Sequence, residues 1–372
     1  MKSPFRYGCV VSGKDFCARP ELERRLADAI ESGARVAVTG PRRTGKSSLV
    51  LETVRRLKGV SLFHVDFLGV KSRAEICKRM VAALARLEDS DTWRAKLLGA
   101  LLRLRPSLSI DPSNGAPTIT VDAREAASPD GLDFVMDALA AQTARRKVCA
   151  VFDEFQDVYA IDDANGALAV MRSRIQLDSG TAYVFLGSVR HKMLDMFLDR
   201  ASPFYHGAAM LEVGSIEPDA FYAFLRKAFA DGGREFPRET FEAVSKAAGG
   251  TPGFIQEICD ALWQESAAGD TLGEPLLASV LDRLFEREGE HFAFAIRPLT
   301  AFQLQVLSAV ALHGGKETSS AAMLEACSSR SASAVRKALA RLTDCELVFY
   351  DAQTREYAID NPLFAQWLRR RP

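Results

Sequence analysis

The sequence predicts a doubly wound α/β core built on a parallel sheet, followed by an all-helical segment and a small C-terminal module of helices and strands. Three observations predict it. Apolar runs alternate with helix-period segments from about residue 20 to 215. From Glu217 to Arg287 only helical patterning is present, with a break at Gly249-Gly250-Thr251-Pro252. After Arg297-Pro298 the pattern changes to three short helices and two short strands. At 372 residues the chain exceeds what one hydrophobic core usually serves, so two or three domains are expected. The boundaries drawn from the pattern are 1–215, 216–298 and 299–372.

In chain order, the first expected elements are the helix Pro20 to Ser32, the strand Arg35 to Thr39 and the helix Lys46 to Leu57. The strand Ser61 to Asp66 and the helix Ala74 to Leu87 follow. The helix Gly131 to Ala144, the strand Val148 to Asp153, the helix Ala167 to Leu177 and the strands Ala182 to Gly187 and Met210 to Val213 complete the alternation. These strands read as continuous apolar runs because a parallel strand is covered on both faces. Pro106 to Ala126 breaks the pattern, with Pro, Asn and Gly between two short alternating runs. That predicts a hairpin inserted ahead of the Val148 strand, disordered at its tip.

Composition excludes several classes. The 48 basic residues balance 48 acidic ones, so nothing draws the whole chain to DNA or anionic membrane, and a nucleic-acid surface has to be a local patch. The seven cysteines (Cys9, Cys17, Cys77, Cys149, Cys259, Cys327, Cys345) form no CxxC pair and have no His at zinc-ligand spacing. They read as free thiols in a reducing compartment. The N-terminus lacks an apolar signal core, and no stretch approaches the ~18 apolar residues that span a bilayer. A cytoplasmic protein without membrane contact is expected.

The chemistry begins at Gly40-Pro41-Arg42-Arg43-Thr44-Gly45-Lys46-Ser47, which fits the P-loop pattern G-x-x-x-x-G-K-[ST] and lies between a strand and a helix that continues through Ser48. Gly40 and Gly45 allow a turn tight enough to aim backbone N–H groups at phosphate oxygens, and the helix N-terminus adds partial positive charge. Lys46 is expected to meet the β- and γ-phosphates of ATP, and Ser47 to coordinate Mg²⁺. The strand Lys147 to Asp153 ends in Asp153-Glu154, the Walker B form. Asp153 would hold Mg²⁺ through its water shell and Glu154 would act as general base. Ser188, at the end of the Ala182 strand, stands at the position where such ATPases place a polar sensor of the γ-phosphate, and Gly249-Gly250-Thr251-Pro252 resembles the GxP motif of STAND ATPases, which implies that Pro252 meets the nucleotide. The alternatives are a helix-capping acidic pair, a serine in an ordinary turn, and a helix boundary made of Gly-Gly and Pro.

With these residues in place the chain resembles the archaeal-type ATPases, a group close to the STAND branch of AAA+ proteins. The resemblance rests on Phe16-Cys17-Ala18-Arg19-Pro20-Glu21-Leu22, on the P-loop, on Phe152-Asp153-Glu154-Phe155-Gln156, on Gly249 to Pro252, and on the closing segment Tyr357 to Phe364 with Trp367. It implies a P-loop NTPase of the ASCE, AAA+-like type: a parallel-sheet core, a helical lid and a C-terminal winged helix. It also implies that Phe16 and Arg19 lie near the adenine. One position departs from the family pattern. Where the family carries an arginine after a proline-aromatic segment, Ser202-Pro203-Phe204-Tyr205-His206 is followed by Gly207. Arg174, Arg190 and Arg200 are the substitutes for an arginine finger, and without one turnover is expected to be slow.

In the C-terminal module the expected elements are the helices Ala301 to Ala311, Ala321 to Ala326 and Ser331 to Leu342, and the strands Leu347 to Tyr350 and Glu356 to Ile359 around Ala352-Gln353-Thr354. Ser331 is the N-cap of the third helix, and Val335, Leu339 and Leu342 are its core face. In a helix-turn-helix this third helix enters the major groove, and Arg330, Arg336, Lys337 and Arg341 supply its charge. The module as a whole is nearly balanced, with nine basic and seven acidic residues. The leading expectation is a slow ATPase that binds ATP and ADP with Mg²⁺ and switches a DNA-binding winged helix. A regulatory scaffold that binds a protein partner or further copies of itself, without DNA, is the alternative.

Overall fold

The computed structural model describes residues 2–87, 106–110, 117–121, 129–329, 331–351 and 354–370. They form two compact units: one of Ala18–Pro41 and Gly45–Val213, the other of Met1–Cys17, Arg42–Thr44 and Gly214–Pro372.

The first unit runs α1 (Pro20–Glu31), β1 (Arg35–Thr39), α2 (Lys46–Arg56), β2 (Val60–Asp66), α3 (Arg73–Leu87), β3 (Pro106–Ile110), β4 (Pro117–Val121) and α4 (Pro129–Ala140). It continues with β5 (Lys147–Asp153), α5 (Ala164–Leu177), β6 (Thr181–Gly187), α6 (Arg190–Leu198) and β7 (Ala209–Glu212). Five strands make a sheet in the order β2-β5-β6-β1-β7, every neighbouring pair parallel. All five strands expected from the apolar runs are present. The central strand β6 is buried at every position and β5 from Val148 to Phe152, whereas β2, at an edge, alternates. That gradient is what two-sided cover of a parallel sheet requires. The strands β3 and β4 pair antiparallel, with Pro106 opposite Val121. The expected tip of that hairpin at 111–116, and its continuation at 122–126, lie outside the described residues.

Strand order positions the site. β6 lies between β1 and β5, so the ends of the three strands that carry the P-loop, the acidic pair and Ser188 are neighbours. An aromatic cluster fixes β5 against β6: the Phe155 ring lies 4.8 Å from Phe185 and 5.4 Å from Phe204, and the Phe152 ring 5.7 Å from Phe185. Each such pair adds roughly 0.5–1.5 kcal/mol beyond its buried area. Phe152 and Phe155 flank Asp153-Glu154, so the packing that holds the sheet together also aims the two carboxylates.

The second unit contains α7 (Pro218–Ala230), α8 (Arg238–Ala247), α9 (Pro252–Gln264), α10 (Glu274–Ile296), α11 (Ala301–His313), α12 (Ala321–Ala326), α13 (Ala332–Asp344), β8 (Val348–Asp351), β9 (Glu356–Ile359) and α14 (Pro362–Arg370). The break between α8 and α9 follows from its residues. Gly249 and Gly250 take left-handed φ of +56° and +67°, which end one helix, and Pro252 starts the next at its first turn. Thr300 and Gln303 form a reciprocal capping box at α11, and the Ser331 hydroxyl accepts the Ala334 N–H at 3.2 Å, as an N-cap should.

Three features of this unit differ from the sequence reading. α10 runs nine residues past Arg287, to Ile296, because Phe292 continues the buried stripe of Leu281, Leu284 and Phe285. α13 extends past the expected end at Leu342 to Asp344, which adds an acidic residue to its last turn. The closing segment runs out of β9 into a helix, α14, that the sequence reading does not include, and its Leu363, Phe364 and Leu368 are buried. β8 and β9 pair antiparallel, Val348 opposite Ile359; Ala352 and Gln353 of their turn lie outside the described residues. Among the described residues no helix is long and apolar enough to cross a membrane.

Candidate functional site

The loop from Gly40 to Ser47 has the backbone its glycines permit. Gly40 sits at φ +154°, and a Cβ there would stand 2.1 Å from the Val213 carbonyl oxygen. Gly45 takes φ +87° as the N-cap of α2. Arg43 also adopts a left-handed φ, of +61°. The Lys46 ammonium is buried and donates to the carbonyl oxygens of Gly40 at 2.9 Å and Pro41 at 2.8 Å, which holds it across the mouth of the loop. Thr44 and Ser48 are buried, and Pro41 is half-buried. α2 starts at Lys46, so the partial positive charge of its N-terminus faces the loop.

The acidic side meets the same helix. Ser47 Oγ donates to Asp153 Oδ2 at 2.7 Å. Burial alone would raise Asp153, but neighbouring His64 and the Ser47 hydrogen bond outweigh it and hold the carboxyl below the usual carboxylate range. His64 Nε2, on β2, lies 3.7 Å from Asp153 Oδ2, beyond hydrogen-bonding distance, and has no other partner among the described residues. Glu154 stands at φ +48°, outside the strand geometry. Its Oε2 accepts Ser188 Oγ at 2.8 Å, the Ser188 N–H at 3.3 Å and Gln156 Nε2 at 2.7 Å. Lys46, Ser47, Asp153, Glu154 and Ser188 therefore assemble at one end of the sheet, as their strands dictate. His64 and Gln156 were not among the expected residues. Gln156 belongs to the segment that resembles the family, and His64 joins the site through strand pairing, which no local motif announces.

The second unit holds the remaining residues of the loop. The Arg43 carbonyl accepts the Gly253 N–H at 3.0 Å, next to Pro252. The Arg43 guanidinium donates to Glu257 at 2.8 Å, and Arg42 is paired with Glu346. Phe16 is buried in this unit, and Arg19, buried in the first, is the N-cap of α1. Of the candidate finger residues, Arg174 is engaged by Asp133 at 2.7 Å and Asp137 at 3.0 Å, and Arg190 by Glu212 at 3.0 Å. Arg200 is exposed and has no ion pair among the described residues.

On α13, Arg336, Lys337 and Arg341 are exposed and unpaired among the described residues, and Val335, Leu339 and Leu342 are buried beneath them. Arg330 lies outside the described residues.

The donor set suits a hydrated Mg²⁺ ion, a hard cation that takes one or two protein oxygens and fills its shell with water and phosphate. Ser47 Oγ and an ionised Asp153 are such oxygens. Among the described residues no group of three or more His, Cys, Asp or Glu side chains could hold a metal alone.

Residues 290–370 match the family model described as "Probable winged helix domain". The whole fold is similar to that of a Walker-type ATPase of Pyrococcus abyssi, with a TM-score of 0.65 and 17% identity over 99% of this chain and 98% of that one. It is also similar to the ORC2 protein of Aeropyrum pernix in its ADPNP–ADP complexes, with a TM-score of 0.53 and 15% identity over 94% of this chain and 92% of that one. No curated protein matches the sequence. At such identities the likeness is one of fold. The chain has the fold of a P-loop NTPase of the ASCE, AAA+-like type, with a parallel-sheet core, a helical lid and a C-terminal winged-helix domain.

Proposed function

We propose that the chain binds and slowly hydrolyses ATP, and that its nucleotide state governs DNA binding by the winged helix. The observation that carries the first half is the convergence of Lys46, Ser47, Asp153, Glu154 and Ser188 at the end of one sheet, where Lys46 bonds the Gly40 and Pro41 carbonyls, Ser47 bonds Asp153 and Ser188 bonds Glu154, all at 2.7–2.9 Å. Lys46 and the N–H groups of the loop bring positive charge to the β- and γ-phosphates, with Gly40, Pro41, Arg42, Arg43, Thr44, Gly45 and Ser48 shaping the loop around them. Ser47 and Asp153 hold the metal, and Mg²⁺ bound there neutralises phosphate charge. Glu154 accepts the proton of the attacking water, and Ser188, bonded to it, orients its carboxylate. In this reading Phe16 and Arg19 serve the adenine and Pro252 meets the nucleotide. Arg174 and Arg190 are committed to carboxylates within their own chain, which supports slow turnover.

The second half rests on α13 and on Glu346. The exposed cations Arg336, Lys337 and Arg341 suit phosphate contacts, and Arg330, just before them in the sequence, is a fourth candidate. Glu346, two residues beyond the end of α13, is paired with Arg42 of the P-loop. A phosphate that draws Arg42 away from Glu346 releases a constraint on the DNA-facing helix, and this supplies the differential contact that any switch needs. Fluorescence anisotropy of a mixed-sequence duplex, with ADP and with a non-hydrolysable ATP analogue, tests the reading. Binding that differs between the two nucleotides is expected. Absence of DNA binding in both at low salt contradicts it and favours a protein-binding scaffold.

A further inference from the structure

We propose that Glu257 is a positioning residue for the phosphate-binding loop, fixing through Arg43 the turn on which phosphate binding depends. The inference rests on the nucleotide reading above and adds a residue of the helical lid to that site. Arg43 lies inside the P-loop at φ +61°, a conformation that a residue with a side chain keeps only when its surroundings hold it. Three contacts from α9 do so. The Gly253 N–H donates to the Arg43 carbonyl at 3.0 Å. The Arg43 guanidinium lies over the Phe254 ring, 4.4 Å from its centroid. One turn further, Glu257 Oε2 accepts Arg43 Nη1 at 2.8 Å.

Glu257 is built for this role. Its side chain is only 7% exposed, and its second oxygen accepts Arg287 Nη2 from α10 at 2.8 Å, so both oxygens are engaged by guanidinium groups. A buried carboxylate with two cationic partners is held in place, and its loss leaves uncompensated charge behind. The approach of the two backbones also restricts position 253. A Cβ on Gly253 would stand 2.7 Å from the Arg43 Cβ and 3.0 Å from the Arg43 carbonyl oxygen. Arg43 faces a carboxylate, so its charge is already compensated and its part in phosphate binding is to hold the turn.

Steady-state ATPase kinetics and calorimetric Mg·ADP binding on the full chain test this for wild type, Glu257→Gln, Gly253→Ala, Arg43→Ala and the double variant Arg43→Ala/Glu257→Gln. Melting curves without nucleotide identify folded variants. Glu257→Gln is expected to raise KM and the Mg·ADP Kd about tenfold, the size of one hydrogen bond between charged groups, with kcat within about twofold. Gly253→Ala pushes on the same turn and moves KM the same way, which keeps the test available if Glu257→Gln does not fold. The double variant is expected to be no weaker than Glu257→Gln alone, because both changes break one link. A lower kcat with unchanged KM indicates fewer folded molecules and overturns the proposal. Tighter binding on freeing Arg43, or wild-type affinity in Glu257→Gln, overturns it while leaving the nucleotide reading intact. A wild-type protein that binds no Mg·ADP and hydrolyses no ATP overturns both.

Discussion

Ser188 donates its hydroxyl to Glu154 Oε2 at 2.8 Å and directs its backbone N–H to the same oxygen at 3.3 Å. With Gln156 Nε2 at 2.7 Å, three donors converge on one carboxylate oxygen, while the backbone of Glu154 leaves strand geometry to present it. A carboxylate so oriented, beside Asp153 and beyond a P-loop, is placed for a task that depends on its direction.

Glu154→Gln is expected to bind ATP within a few-fold of wild type and to hydrolyse it at least about a hundredfold more slowly, because an amide keeps the shape but takes no proton. Ser188→Ala, which removes the hydroxyl and leaves the N–H, is expected to lower kcat by about tenfold with little change in KM. Phosphate-release assays measure both. Wild-type turnover in Glu154→Gln would assign the base elsewhere.

Gly40→Ala is expected to destabilise the fold by about 2 kcal/mol or more. Its φ of +154° disfavours any side chain, and the added methyl would meet the Val213 carbonyl oxygen at 2.1 Å. Denaturant unfolding followed by circular dichroism reads the difference, and an unchanged midpoint would contradict the close packing of this loop.

Replacing Arg341 by alanine is expected to weaken DNA binding at every sequence alike and to reduce the slope of log affinity against log salt by about one, the signature of a lost phosphate contact. The triple change of Arg336, Lys337 and Arg341 is expected to reduce it by about three. Unchanged slopes would remove α13 from the DNA surface.

Glu346→Gln is expected to narrow the difference in DNA affinity between the ADP state and the ATP-analogue state, because it weakens the pairing with Arg42 without touching the cations of α13. Anisotropy titrations in both states compare it with wild type. A preserved difference would move the coupling to other residues.

The parts of this account that the sequence made legible are those whose chemistry is local. A turn that must bend tightly and end in Lys-Ser, or a strand that must be apolar and end in acid, can be read without any partner. The residues that escaped are joined by pairing across the fold. His64 reaches Asp153 because β2 lies beside β5, and Glu257 and Glu346 reach Arg43 and Arg42 over more than two hundred residues of chain. The apolar pattern extends to Phe292 in α10, beyond the expected end at Arg287, and from Leu363 to Leu368 in α14, where the sequence reading places no helix. The sequence offers Arg174 and Arg190 as substitutes for an arginine finger. Their carboxylate partners, Asp133, Asp137 and Glu212, come from other elements of the same unit.

The central claim is that the loop from Gly40 to Ser47 binds the phosphates of ATP through Lys46, and calorimetric titration of Mg·ATP into wild type and Lys46→Ala tests it most directly. The account predicts saturable binding to wild type and, in a variant that melts like wild type, affinity lower by about a hundredfold or more, because the change deletes the charge held against the β- and γ-phosphates. Equal affinity in the two folded proteins would contradict it.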